Sequence, residues 1–116
     1  MVVDDEAIVG RTIRRSLAGH HDATVVTSGE EALRELAGGE RYDVILCDLM
    51  MPGMSGMQVY EELSTSAADQ ARRMVFVTGG AFTAVAREFL DSIPNPRVEK
   101  PFDVQSLLAI IAIVGR

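Results

Sequence analysis

Five short apolar runs, each followed by a polar residue and then by helical spacing, leave this chain few folds to choose from. The runs are Met1-Val2-Val3, Ala23 to Val26, Val44 to Cys47, Met74 to Val77 and a segment around Val98. After the first, Val9, Ile13 and Leu17 recur every four residues with Arg11, Arg14 and Arg15 between them, which predicts a helix ended by Gly19. After the second, Ser28-Gly29-Glu30-Glu31 reads as a capping box, opening a helix with Ala32, Leu33 and Leu36 on one face and Gly38-Gly39 as its stop. Met57, Val59, Tyr60 and Leu63 predict a third helix, and the polar stretch Ser64 to Gln70 reads as a link to the fourth run, which Thr78-Gly79-Gly80 ends. Val85, Phe89 and Leu90 mark a fourth helix closed by Pro94, and Asp103 is the expected N-cap of a fifth. Strand and helix alternating in this way imply right-handed crossovers and a parallel sheet with helices on both faces. The runs are continuous rather than alternating, as strands covered on both faces are.

Composition narrows the function classes. The 116 residues suffice for one domain with its own core, and no repeat, low-complexity segment or interdomain linker interrupts them. Aromatic residues make up 5% with no Trp, so aliphatic side chains must carry the packing. A formal net charge of −6 argues against a nucleic-acid-binding face and fits a cation site or a basic partner. Cys47 is the only cysteine. It lacks a disulfide partner and lacks zinc-ligand neighbours, which makes it a core residue of a reducing compartment. Asp4, Asp5 and Glu6 follow the apolar start too soon for a signal peptide, and the apolar run Leu107 to Val114 is too short to span a bilayer. The expectation is a cytoplasmic protein, or the cytoplasmic part of one, with no membrane contact by this domain.

The polar residues at the strand ends carry the chemistry. The first strand ends in Asp4 and Asp5, the third in Asp48, the fourth in Thr78 and the fifth in Lys100. In a parallel sheet these ends share one edge, where open α/β sheets bind ligands. Taken alone, Asp48 has a second reading as the cap of the next turn or helix. Three carboxylates on one edge repel at neutral pH unless a cation lies among them. Hard oxygen donors suit Mg²⁺, which uses few protein carboxylates. Acids, Mg²⁺, a hydroxyl and a lysine together suit phosphoryl transfer, in which charge on the transferring oxygens must be neutralised. Asp48 is then a carboxylate nucleophile. The P-loop pattern is absent, so a nucleotide is not the obvious donor.

These residues fall in four blocks: Val-Val-Asp-Asp-Glu at 2–6, Asp-Leu-Met-Met-Pro-Gly-Met-Ser-Gly at 48–56, Val-Thr-Gly-Gly-Ala at 77–81 and Glu-Lys-Pro-Phe at 99–102. As a set they resemble the receiver domain of two-component response regulators, over essentially the whole of residues 1–116. The resemblance implies a flavodoxin-like doubly wound (βα)5 three-layer sandwich with strand order 2-1-3-4-5. It implies Asp48 as phosphoacceptor, with Mg²⁺ held by Asp5 directly, Asp4 mainly through water, Asp48 and the Met50 carbonyl. Thr78 would hydrogen-bond the phosphoryl group and shift inward, Lys100 would pair with it, and the Lys100-Pro101 bond would be cis. The implied donor is a phosphohistidine on a histidine kinase or histidine phosphotransfer protein.

Two departures stand out. Arg97 occupies the place, three residues before the lysine, where the family often has a switching Tyr or Phe. Ile93-Pro94-Asn95-Pro96 makes the approach to the fifth strand similar to receivers attached to hybrid sensor histidine kinases. The chain ends at Arg116, after the last helix, which reads as a stand-alone receiver or one cut from a larger protein.

His20 and His21 are expected in solvent, and Met50, Met51, Met54 and Met57 in loop packing. Leu107, Ile111 and Val114 predict a core stripe that leaves Ala109 and Ile113 outside. The fourth helix, fifth strand and last helix are therefore a candidate homodimer or partner surface. Two other functions compete with the switch. One is an Mg²⁺-dependent phosphohydrolase with an aspartyl-phosphate intermediate, though Met50 stands where a water-activating group is wanted. The other is a pseudo-receiver, an interaction module that is never phosphorylated.

Overall fold

A computed structural model describes residues 1–79 and 83–115. The elements run β1 (Val2–Val3), α1 (Ala7–Leu17), β2 (Val25–Val26), α2 (Gly29–Ala37), β3 (Ile45–Asp48), α3 (Gly56–Ser66), α4 (Ala68–Ala71), β4 (Met74–Thr78), α5 (Ala84–Asp91), β5 (Arg97–Glu99) and α6 (Val104–Val114). All strand pairs are parallel and the order is β2-β1-β3-β4-β5, as the resemblance implies. Gly80, Ala81 and Arg116, which the sequence motifs and the chain end bring in, lie outside the described residues.

Side chains alternate across a strand, and here both sets are apolar. Leu46, Val75, Val77 and Val98 point to one face, against Ile13 and Leu17 of α1 and Leu107 and Ile111 of α6. Ile45, Cys47, Met74 and Phe76 point to the other, against Ala32 and Leu36 of α2, Val59 and Leu63 of α3, and Ala86 and Leu90 of α5. Phe76 meets Phe89 at 5.4 Å between centroids, and Phe89 meets Tyr60 at 5.5 Å, both in the edge-to-face arrangement that ring quadrupoles favour. Cys47 is fully buried, and that burial pushes its thiol far up from the ordinary range. No helix among the described residues is long and apolar enough to cross a membrane.

Most expected features are found. Asp103 caps α6, accepting from the Ser106 amide at 2.7 Å. Lys100-Pro101 is cis. His20, His21, Ala109 and Ile113 are exposed. Met51 is buried and Met54 and Met57 are partly buried in the core, but Met50, expected to pack with them, projects into solvent.

The differences have local causes. The stretch Ser64 to Gln70 is not a loose link: α3 runs through Ser66 and α4 follows almost at once. Its hydroxyls stay inside the helix by bonding back one turn, Ser64 to the Tyr60 carbonyl at 2.8 Å and Ser66 to that of Glu62 at 2.9 Å. The box at Ser28 is half formed. Ser28 accepts from the Glu31 amide, but Glu31 turns its carboxylate to the Thr27 hydroxyl at 2.9 Å. The complete box is at Ser55 and Gln58, opening α3. Val85 lies on the outer side of α5 because Thr83 caps that helix and sets Ala86 and Leu90 inward.

Gln70 is the polar residue that the core cannot do without. It is 2% exposed, and its amide accepts from the Tyr42 N–H at 2.9 Å and donates to the Tyr42 carbonyl at 3.1 Å. That clasp ties α4 to the lead-in of β3, 28 residues away. Gln70→Ala strands both Tyr42 groups and is expected to cost about 2 kcal/mol. Urea unfolding should show it as a lower midpoint with an unchanged slope, whereas Ala109→Ser on exposed α6 should move neither.

Candidate functional site

Register places the site. Asp48 is the last residue of β3 and pairs with Val77, so Thr78 stands one residue further along the neighbouring strand. Thr78 in turn pairs with Glu99, and its carbonyl accepts from the Lys100 amide at 2.8 Å. On the other side of β3, Val3 pairs with Cys47, and Asp4 follows Val3. The strand ends thus bring Asp4, Asp5, Asp48, Thr78 and Lys100 to one edge. One carboxylate oxygen from each of Asp4, Asp5 and Asp48 lies within 4.8 Å of the others.

The loop after Asp48 is held tightly. The Leu49 amide donates to the Val77 carbonyl at 3.0 Å, and the Gly56 amide donates to the Leu49 carbonyl at 2.9 Å. A Cβ on Gly56 would stand 2.6 Å from the Asp48 carbonyl oxygen, so only glycine lets α3 start this close to the strand. Gly53 has φ +75°, the left-handed region that turns the loop back. Asp48 accepts from the Met50 amide, which is the turn-capping role, while the cap of α3 itself falls to Ser55.

The acids are not equivalent. Asp4 is 3% exposed. One of its oxygens accepts from the Glu6 amide at 2.9 Å, and the other faces the Lys100 ammonium at 3.6 Å. Asp5 is exposed. Asp48 is half-buried, and its pKa is pushed up to about 6. Burial is the main cause. The Asp4 and Asp5 charges add to it, while Lys100 and the Met50 amide pull the other way. Lys100 is the sole lysine of the sequence. Thr78 is 2% exposed, and its Oγ1 is buried without a hydrogen-bond partner among the described residues.

The five strand-end residues singled out in the sequence, Asp4, Asp5, Asp48, Thr78 and Lys100, are therefore at this edge. Lys100, expected against a phosphoryl group, here faces Asp4. Arg97, at the place of the missing aromatic, points outward and pairs with Asp91 of α5 at 3.8 Å. What sequence reasoning missed was the positioning set, Ser55, Gly56 and Gln58, although the Ser-x-x-Gln spacing signals it. The donor set fits Mg²⁺: hard oxygens only, clustered, with excess negative charge. Thr78 Oγ1 supplies a hydroxyl with nothing yet to bond.

A sequence model of the response regulator receiver domain matches residues 1–112. The chain is 34% identical over 113 residues to Two-component response regulator 24 of Arabidopsis thaliana, across 96% of this chain and 79% of that protein. It is 31% identical over 110 residues to Response regulator MprA of Mycolicibacterium vanbaalenii, across 94% of this chain and 46% of that protein. It thus spans less than half the length of the latter relative. Among solved structures, the receiver domain of Francisella response regulator 1452 superposes with a TM-score of 0.81 at 26% identity, over 98% of this chain and 93% of that one.

The raised Asp48 pKa has a sign that can be checked. The folded chain holds this proton more tightly than the unfolded one, so ionised Asp48 destabilises the fold, and the penalty grows as pH rises from about 4 to about 6. Without divalent cation, Asp48→Asn should unfold at higher urea than the unsubstituted chain at pH 7.5. The gap should shrink as pH falls towards 4 and be gone by about pH 3, where Asp48 is protonated in both the folded and the unfolded chain. A gap independent of pH would contradict the raised Asp48 pKa.

Proposed function

The chain belongs to the response regulator receiver domain family of two-component signalling, and from that premise we propose that Asp48 is its phosphoacceptor, in a switch driven by a phosphohistidine partner. The single observation that carries this reading is the buried, unpartnered Thr78 hydroxyl beside a half-buried carboxylate and the sole lysine. A phosphoryl oxygen would satisfy it, and no described residue on this edge does.

In the proposed step an Asp48 oxygen attacks the phosphorus of a phosphohistidine. The P–N bond breaks as the P–O bond forms, and the imidazole nitrogen keeps the electron pair and takes a proton from solvent. Asp5, Asp48 and the Met50 carbonyl, with Asp4 mainly through water, would hold Mg²⁺, which would neutralise phosphoryl charge when bound. Lys100 exchanges Asp4 for a phosphoryl oxygen, and Thr78 donates its hydroxyl to another. Both partners are already at the edge, so little reorganisation is needed. Movement of Thr78 then biases β4 and α5 towards a second arrangement. Since Arg97 is exposed and paired with Asp91, the read-out on β5 is an ion pair rather than an inward-turning ring.

Two side readings follow from particular residues. Met50, 48% exposed and two residues past Asp48, offers no group to activate water, which favours a long-lived aspartyl-phosphate over a phosphohydrolase. Val85 and Ile113, 67% and 65% exposed, lie on α5 and α6, the helices proposed with β5 as a homodimer surface.

The test is incubation with acetyl phosphate and Mg²⁺, followed by intact-mass measurement. The unsubstituted chain should gain one phosphoryl group. Asp48→Asn and a chelator-treated sample should gain none, and Lys100→Ala should gain it at least about tenfold more slowly, from the loss of one charge-assisted contact. An unchanged gain in Asp48→Asn would overturn the assignment.

A further inference from the structure

A second cluster of charge lies away from the strand-end edge. α1 starts at that edge and returns the chain to the start of β2, which runs parallel to β1. Between the far half of α1 and the lead-in to β2 is a cleft of about 430 Å³, lined by Arg11, Arg14, Arg15, His21, Asp22 and the half-buried Ala23. The three arginines, His21 and Asp22 are exposed, and none of their side chains makes a hydrogen bond or an ion pair among the described residues. Arg11 shares a helix side with Arg14 and Arg15, three and four residues on, within about one turn of 5.4 Å. Like charges at that spacing repel, and α1 contains no acid to pair with them. Attraction to the helix C-terminus accounts for Arg14 and Arg15, which stand in the last turn, but not for Arg11 in mid-helix. In a chain of net charge −6, three unpaired cations around one cleft concentrate positive charge.

We propose that this cleft binds a small ester carrying two or more phosphates, with the phosphates on Arg11, Arg14 and Arg15 and a hydroxyl of the organic body on the Asp22 carboxylate. Each guanidinium presents five N–H donors in a planar fork that grips phosphate oxygens two at a time. All three forks are uncommitted among the described residues, and three forks within one turn suit several phosphates rather than one. Asp22 is the one acid lining the cleft among the described residues. An ionised carboxylate only accepts hydrogen bonds, so it disfavours a bare polyphosphate and favours a ligand that brings a donor. A sugar or polyol hydroxyl is such a donor. The volume lies within the range of about 300–1,000 Å³ found for small-molecule sites. An extended polyanion, whether a nucleic acid or an anionic bilayer, would run off the cleft onto a surface where acids are in excess. The site is separate from Asp48 and needs no divalent cation.

The probes are adenosine triphosphate, adenosine monophosphate, inorganic tripolyphosphate and sulfate, each titrated into ¹⁵N-labelled chain with a chelator at matched ionic strength. Without divalent cation the acids of the strand-end edge repel all four, so that edge does not compete. The triphosphate should shift amides of Arg11 to Gly19 and His21 to Thr24 and saturate. It should bind at least about tenfold tighter than the monophosphate, and tighter than tripolyphosphate as well. Arg14→Gln/Arg15→Gln should weaken it at least about tenfold. Arg34→Gln/Arg72→Gln removes equal charge from exposed positions outside the cleft and should change affinity by less than about twofold. Asp22→Ala should tighten tripolyphosphate and abolish the preference for the nucleotide. Dispersed spectra of the variants keep these comparisons to folded chains. No shift with any probe, sulfate binding as tightly as the triphosphate, or equal weakening by the two arginine pairs overturns the site. Tripolyphosphate binding the unsubstituted chain as tightly as the nucleotide overturns the ester and the role of Asp22.

Discussion

Like charge held at short range is the constraint on which the rest of this edge depends. Asp4, Asp5 and Asp48 stay together because they are fixed by strands, not by attraction. The register β1–β3–β4 is set by apolar residues on both sheet faces, and slipping any strand by one residue would exchange those faces. Asp48 holds its proton too tightly mainly because it is half-buried, with the neighbouring acids adding to that and Lys100 partly offsetting it. A bound cation would relieve the repulsion that the core imposes on these acids.

The fold was legible because its signals are redundant. Five continuous apolar runs, separated by helical spacing, allow little besides a doubly wound parallel sheet, and the strand order came with the motif resemblance. The chemistry-bearing residues were legible for a related reason: each stands where an apolar run stops, and strand ends share an edge. Asp48 and Thr78 are the last residues of β3 and β4, where the sequence places the strand ends.

What was not legible depends on tertiary partners. Ser64, Thr65 and Ser66 look like a loop until their hydroxyls are seen bonding back into α3. Gln70 looks like a surface residue, because its partner, the Tyr42 backbone, is distant in sequence. Glu31 completes the Ser28 box in spacing but not in space, since Thr27 offers its carboxylate a hydroxyl. The Lys100–Asp4 contact and the orphan Thr78 hydroxyl belong to the folded edge alone.

That hydroxyl gives the resting fold a locally frustrated point inside an otherwise consistent landscape. A buried polar group left unpaired costs about 1–3 kcal/mol. A coupling free energy of that size changes an affinity or a conformational population by roughly 5- to 150-fold. One hydrogen bond to Thr78 is therefore enough in magnitude to turn a minority conformation into the dominant one, with no change to the rest of the core. The frustration sits on β4, whose residues are all buried, so its relief is transmitted to packed neighbours rather than lost to water.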